Sequence, residues 1–235
     1  ARTWHTQLGI FWIATAWLAT GLFVAPAVSG YEPKGQRFGI NFLFTCLLVI
    51  VVGSLAGEWL GVQQKLGFVT NFWFGHQGWE YVDIGRFWQV FLFIGLMLWL
   101  VLMGRALWPA LKRRDEMSSI VGLLFLSTVA IGLFYAAGLM WGEHTSLSMV
   151  EYWRWWVVHL WVEGYFEVFA TVVIAFLFAK LRVIRAESAA QAALLSGAIY
   201  LSGGIIGTLH HLYFAGTPTV AIAFGSVFSA LEIVP

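Results

Sequence analysis

Charge is what this chain has least of. Only 11% of its 235 residues are Asp, Glu, Lys or Arg, against roughly 25% in an ordinary soluble domain. A surface so poor in charge cannot face water all round, so the surrounding solvent is lipid. The net charge of +1 gives no basic face for nucleic acid. There is a single cysteine, Cys46, set inside an apolar run. It excludes an intramolecular disulfide, and a small buried hydrophobe is its expected role. A positively charged leader segment is also lacking ahead of the first apolar run, so no cleavable signal peptide is expected. No convincing internal repeat is visible, which weighs against a transporter of the inverted-repeat kind.

What is present in quantity is apolar and aromatic: 60% hydrophobic residues, with 14 Trp and 20 Phe. A bilayer crossing takes about 20 mostly apolar residues. Segments of that kind run over residues 5–28, 38–61, 84–109, 118–141, 152–181 and 190–214, and a seventh begins near 221. The fold class expected is all-α, a polytopic transmembrane helix bundle. The seventh segment ends at Pro235 with no polar stop, so the chain is expected to be part of a longer one. Many tryptophans flank the apolar runs, as in interfacial belts. Lys34 and Arg37 follow the first span, Lys112, Arg113 and Arg114 the third, and Lys180, Arg182 and Arg185 the fifth. These loops share one side, which is therefore the cytoplasmic one. The loops over 62–83 and 142–150 face outward.

Within this greasy frame stand His159, Glu163 and Glu167 in one span and the adjacent pair His210 and His211 in the next. Ionisable side chains inside a span mark function by default. On an α-helix the four-residue spacing stacks His159, Glu163 and Glu167 along one face. The two members of the pair point about 100° apart on an α-helix, so they meet one ion only close to their own helix or after local distortion. The topology puts His159, His210 and His211 in the outer half of the membrane, with His5 at similar depth. A lone helical histidine is usually a packed or hydrogen-bonded residue, and a nearby glutamate can simply accept its proton. The combination, from separate spans at matched depth, points instead to a transition-metal site in a membrane redox enzyme. Three imidazoles suit copper or zinc, and an added carboxylate moves the preference toward iron. A metal-free proton-coupled transporter is the rival from another class.

Several runs carry a family resemblance. A histidine in one span and a His-His pair some fifty residues later resembles the haem–copper oxidase superfamily. HLWVEGYFEV, GTLHHLYFAGTP and SALEIVP look like the large subunit of bacterial nitric oxide reductases. RTWHTQLGIFWIATAWLATGLFVAPAVSG and GHQGWEYVDIGRFWQV look most like the quinol-dependent, single-chain type. Oxygen-reducing members typically have a tyrosine four residues after the first histidine, where this chain has Glu163, so an oxygen-reducing terminal oxidase is the nearer rival.

The resemblance implies roles residue by residue. His159, His210, His211 and Glu163 would bind the non-haem iron, FeB. Glu167 and Glu232 would lie near it and serve in proton delivery or in tuning the iron. His5 would be one axial ligand of a low-spin haem b. Glu80 would bind a structural calcium, and Asp83 stands where the family often has a second glutamate. The high-spin haem b3 would face FeB, its ligand and the second low-spin haem ligand lying on a later helix. Residues 1–235 would then be the N-terminal portion of one transmembrane catalytic domain, inactive by themselves and completed by the remainder of the same subunit. The implied reaction joins two nitric oxide molecules to nitrous oxide and water with electrons from quinol, in a bacterial cytoplasmic membrane. A homodimer is one assembly the resemblance admits. His76 and His144, in outward loops, match nothing, and Glu58 and Glu143, near outer helix ends, are expected to be solvated. Gly203, Gly204 and Gly207 share a helix with the pair, where they either admit a flat macrocycle or allow close helix packing.

Overall fold

The computed structural model describes residues 2–77 and 84–232, with side chains throughout except at residues 2 and 162–165. Among these residues the regular structure is helical, without strands. The order is α1 (Arg2–Ser29), α2 (Gln36–Val62), α3 (Phe68–Phe74), α4 (Arg86–Leu111), α5 (Ser118–Phe134), α6 (Leu147–Trp155), α7 (Phe166–Lys180), α8 (Ala186–Gly207) and α9 (Thr219–Leu231). A 3-10 turn, Tyr135–Leu139, prolongs α5. A π-helix, Trp156–Tyr165, fuses α6 to α7, and a second 3-10 stretch, Thr208–Ala215, carries on from α8. Lipid offers backbone groups no hydrogen-bond partner, so a crossing segment must satisfy them within itself, as a helix does.

Among the described residues, six continuous helices are long and apolar enough to cross a membrane: Thr3–Ser29, Gln36–Val62, Arg86–Leu111, Ser118–Leu139, Leu147–Lys180 and Ala186–Ala215. The expected seventh is shorter in the described residues. Thr219–Leu231 has 13 residues, or about 20 Å of helix, against a hydrocarbon core of about 30 Å. The outward stretch expected as a loop over 62–83 contains the short helix α3. Glycine in the left-handed region ends α1 at Gly30 (φ 67°) and the 3-10 stretch before α9 at Gly216 (φ 75°). Both are conformations that a Cβ disfavours.

The described chain forms two compact units, residues 1–23 with 32–102, and residues 24–31 with 103–235. In the first, Phe11, Ile50 and Ile84 are buried together, with Leu47, Val51, Trp88 and Leu92 packed around them. Gly53, Gly57 and Gly61 recur every four residues on α2 and so share a face. Trp88 lies on the first, the backbone of Phe74 on the second, and Asn71 and His76 on the third. Glu58, on the same helix and expected in solvent, is instead fully buried at 0% exposure. Cys46 is only half-buried among the described residues.

In the second unit Ile120, Leu124 and Ile131 of α5 are buried, as are Leu160 of the π-helix and Phe169 and Val172 of α7. Trp161 donates from its indole to the Ile131 carbonyl at 2.8 Å, which pins the π-helix to α5. Ser148 donates to the Ala215 carbonyl at 3.2 Å and ties the start of α6 to the end of the 3-10 stretch. His159, His210 and His211 all belong to this unit.

Candidate metal centre

The π-helix changes the face relation expected from sequence. A π turn closes i→i+5 rather than i→i+4, so each residue after it is rotated relative to an α-helix. His159 is buried, 3% exposed, while Glu167, two residues past the π segment, lies exposed on the chain. Expecting one straight stack from His159 to Glu167 is therefore incorrect. The His210–His211 pair likewise sits on a 3-10 segment and not on an α-helix, with Leu212 off helical geometry at ψ 16°. This is the local distortion that convergence of the pair requires.

The three rings do gather. His159 Nδ1 and His211 Nε2 face each other at 3.4 Å. The ring centroids of His159 and His210 are 5.5 Å apart, those of His159 and His211 5.0 Å, and those of His210 and His211 3.9 Å. His210 Nδ1 donates to the Gly207 carbonyl at 2.6 Å. That bond places its proton on Nδ1 and leaves the Nε2 lone pair for a ligand role. Two imidazole nitrogens, each about 2.1 Å from one ion, stand about 3.4 Å apart at a tetrahedral angle. The His159–His211 spacing fits that value, and without an ion the same pair makes a weak imidazole–imidazole hydrogen bond. Among the described residues, no set of three His, Cys, Asp or Glu side chains closes to full metal-ligand spacing. The donor set nonetheless fits a metal: two nitrogens at chelating separation and a third imidazole alongside with its tautomer fixed. The Glu163 side chain lies outside the described residues.

Sequence reasoning missed Trp155, Glu151 and Arg154 beside the rings, and Tyr200 near Glu167. Trp155 stacks on His211 with centroids 3.8 Å apart and planes 9° from parallel. Its indole N–H donates to Glu151 at 3.2 Å, and Glu151 is paired with the buried Arg154. Trp155 precedes His159 by four residues, a spacing that already put both on one helical face. Tyr200 of α8 lies within electrostatic reach of the Glu167 and Glu232 carboxylates. A tyrosine in mid-span needs such a partner, and that was the available signal.

The remaining expectations divide. Glu232 approaches His159, its Oε1 3.7 Å from Nε2. His5 is exposed on the first unit. Glu80 and Asp83 lie outside the described residues. His76 packs near Gly61 of α2, while His144 is exposed and Glu143 half-buried.

The family model for cytochrome c and quinol oxidase polypeptide I matches residues 1–235. The chain belongs to this family. It is thus a multi-pass membrane protein of the haem–copper oxidase superfamily. Among curated proteins it is 28% identical over 236 residues to a nitric oxide reductase subunit of Stutzerimonas stutzeri, covering 100% of this chain and 48% of that relative. The chain therefore spans about half the length of the curated relative it matches. Family membership gives the gathered histidines a context: this oxidase-family chain brings them together from two spans.

Proposed function

We propose that this oxidase-family chain is the portion of a quinol-dependent nitric oxide reductase that holds the non-haem iron. The observation that carries the proposal is the 3.4 Å approach of His211 Nε2 to His159 Nδ1 across two different spans. Imidazoles brought face to face inside a membrane have few purposes other than a shared ion or proton. The similarity to a nitric oxide reductase polypeptide supports this reaction over others in the family. In this reading residues 1–235 are the N-terminal part of one transmembrane catalytic domain, completed by the rest of the same polypeptide, in the cytoplasmic membrane of a bacterium. Low-spin haem b, with His5 as one axial ligand, high-spin haem b3 and a calcium at Glu80 complete the cofactor set.

His159 would bind the iron through Nδ1, and His211 and His210 through Nε2, with Glu163 as the fourth ligand. When bound, the iron beside a haem supplies electrons and Lewis acidity for joining two nitric oxide molecules and releasing nitrous oxide and water. The protein's own contribution is position. The Gly207 carbonyl fixes the tautomer of His210, and Trp155 fixes the plane of His211. Holding two small reactants at one place replaces an improbable encounter. Glu167, with Tyr200 in its electrostatic reach, would hold a proton and pass it on.

The test is iron, copper and haem content of the full-length protein, with nitric oxide consumption measured using quinol and then cytochrome c as donor. Non-haem iron in about equal amount with each haem, and turnover with quinol, are expected. Copper in place of non-haem iron, with oxygen consumption, would overturn the proposal in favour of an oxygen-reducing terminal oxidase.

A further inference from the structure

We propose that Glu232 is the positioning carboxylate of His159, and that Gly204 and Gly207 form the slot that seats it. The inference rests on the metal reading above and adds a mechanism for how one ligand is held.

The His159 ring is addressed from both sides. Its Nδ1 faces His211, and its Nε2 faces Glu232 Oε1 at 3.7 Å. An imidazole that gives one nitrogen to a metal carries its proton on the other. A carboxylate near that second nitrogen selects the tautomer, aligns the ring and raises its basicity as a ligand. A separation of 3.7 Å exceeds a hydrogen bond, so the alignment described here is electrostatic. The Glu232 side chain is 14% exposed and that of His159 is 4% exposed, so little water screens the attraction.

The carboxylate reaches this place because α8 has no side chains there. A Cβ on Gly204 would stand 3.2 Å from Glu232 Oε1 and 3.0 Å from Leu160 Cδ2. A Cβ on Gly207 would stand 3.3 Å from Oε1, 3.2 Å from His159 Nε2 and 3.3 Å from the Ser229 backbone nitrogen. These are shorter than the roughly 3.5–4.0 Å of comfortable non-bonded contact. Gly204 and Gly207 are three apart and share a face. The glycines thus make room for an acid from the end of α9, the element that follows the histidine pair. Gly197, on the same helix, differs: its Cβ would meet only Val168 Cγ1 at 3.7 Å, an ordinary contact. Close packing of α9 on this stretch of α8 is general, since a Cβ on Gly203 would stand 3.2 Å from the Phe228 carbonyl oxygen; the short approaches to Glu232 Oε1 at Gly204 and Gly207 are what define the slot.

The experiment uses the full-length protein, stripped of non-haem metal and titrated with ferrous iron. Glu232→Gln, which keeps the shape and removes the charge, is expected to bind ferrous iron about 10–100-fold more weakly with haem content unchanged. The midpoint potential of the non-haem iron is expected to rise, a readout that a purely structural role would not move. Gly204→Ala shifts affinity and potential in the same directions, and Gly197→Ala matches the parent protein. Gly204 is preferred to Gly207 for this arm because a methyl at Gly207 would also press on His159 directly. Unchanged affinity and potential in Glu232→Gln overturn the proposal, and Gly197→Ala equal in effect to Gly204→Ala overturns the slot. If Gly204→Ala does not accumulate, Glu232→Gln still decides the role of the carboxylate. Parent protein that takes up no ferrous iron refutes the metal reading itself; uptake that Glu232→Gln leaves unaltered refutes only this inference.

Discussion

At the scale of single residues, a histidine ligand is only as well placed as its neighbours allow. Trp155 contributes twice: its face lies on His211 and its N–H on Glu151. Trp155→Phe keeps the stack and removes a donor to a charged acceptor, and should cost about 1.5–3 kcal/mol. Trp155→Leu also loses the aromatic contact, a further roughly 0.5–1.5 kcal/mol, and should lower non-haem iron content by freeing the His211 ring. Thermal unfolding of the full-length protein in detergent, with iron assayed on the same samples, separates the two effects. Equal behaviour of Phe and Leu would mean the stack has no role. The chemistry-bearing residues were legible one by one: His159, His210 and His211 announced themselves by being polar in greasy spans. Trp155 and Tyr200 did not, because an aromatic residue in a membrane helix has an innocent explanation at every position.

At the scale of elements, the π-helix over Trp156–Tyr165 and the 3-10 segment over Thr208–Ala215 bring the rings together. A regular α-helix in either place would aim them elsewhere. Such turns trade poorer hydrogen bonds for a shift in side-chain direction and recur at functional sites. Deleting Val158 removes one residue from the wide turn and should rotate His159 away from His211. The expected result is loss of ferrous-iron binding with haem content and membrane insertion preserved, read by metal titration and by membrane fractionation. Retained iron affinity would show that the π segment is incidental. The helices themselves were readable from length and apolarity, since lipid leaves few alternatives. The π and 3-10 stretches were not, because sequence periodicity at helical spacing differs little among the three helix types over two or three turns. Glu58 escaped for a related reason: its burial depends on tertiary packing, which no local pattern reports.

At the scale of the whole molecule, the placement of Lys and Arg predicts the direction of the spans. With Cys46 replaced by alanine, single cysteines at Lys112 and at His144 should react with an impermeant thiol reagent from opposite sides of the membrane, Lys112 from the cytoplasmic side. Labelling of both from one side would refute the span assignment. Gly57 and Gly85 have a last consequence, one for heredity. Each faces backbone atoms of Phe74 or Trp73 so near that even a methyl finds no volume. Any missense change in their codons replaces hydrogen with something larger. Such alleles should vanish early from a deep mutational library, leaving two empty columns among positions that exchange one greasy residue for another.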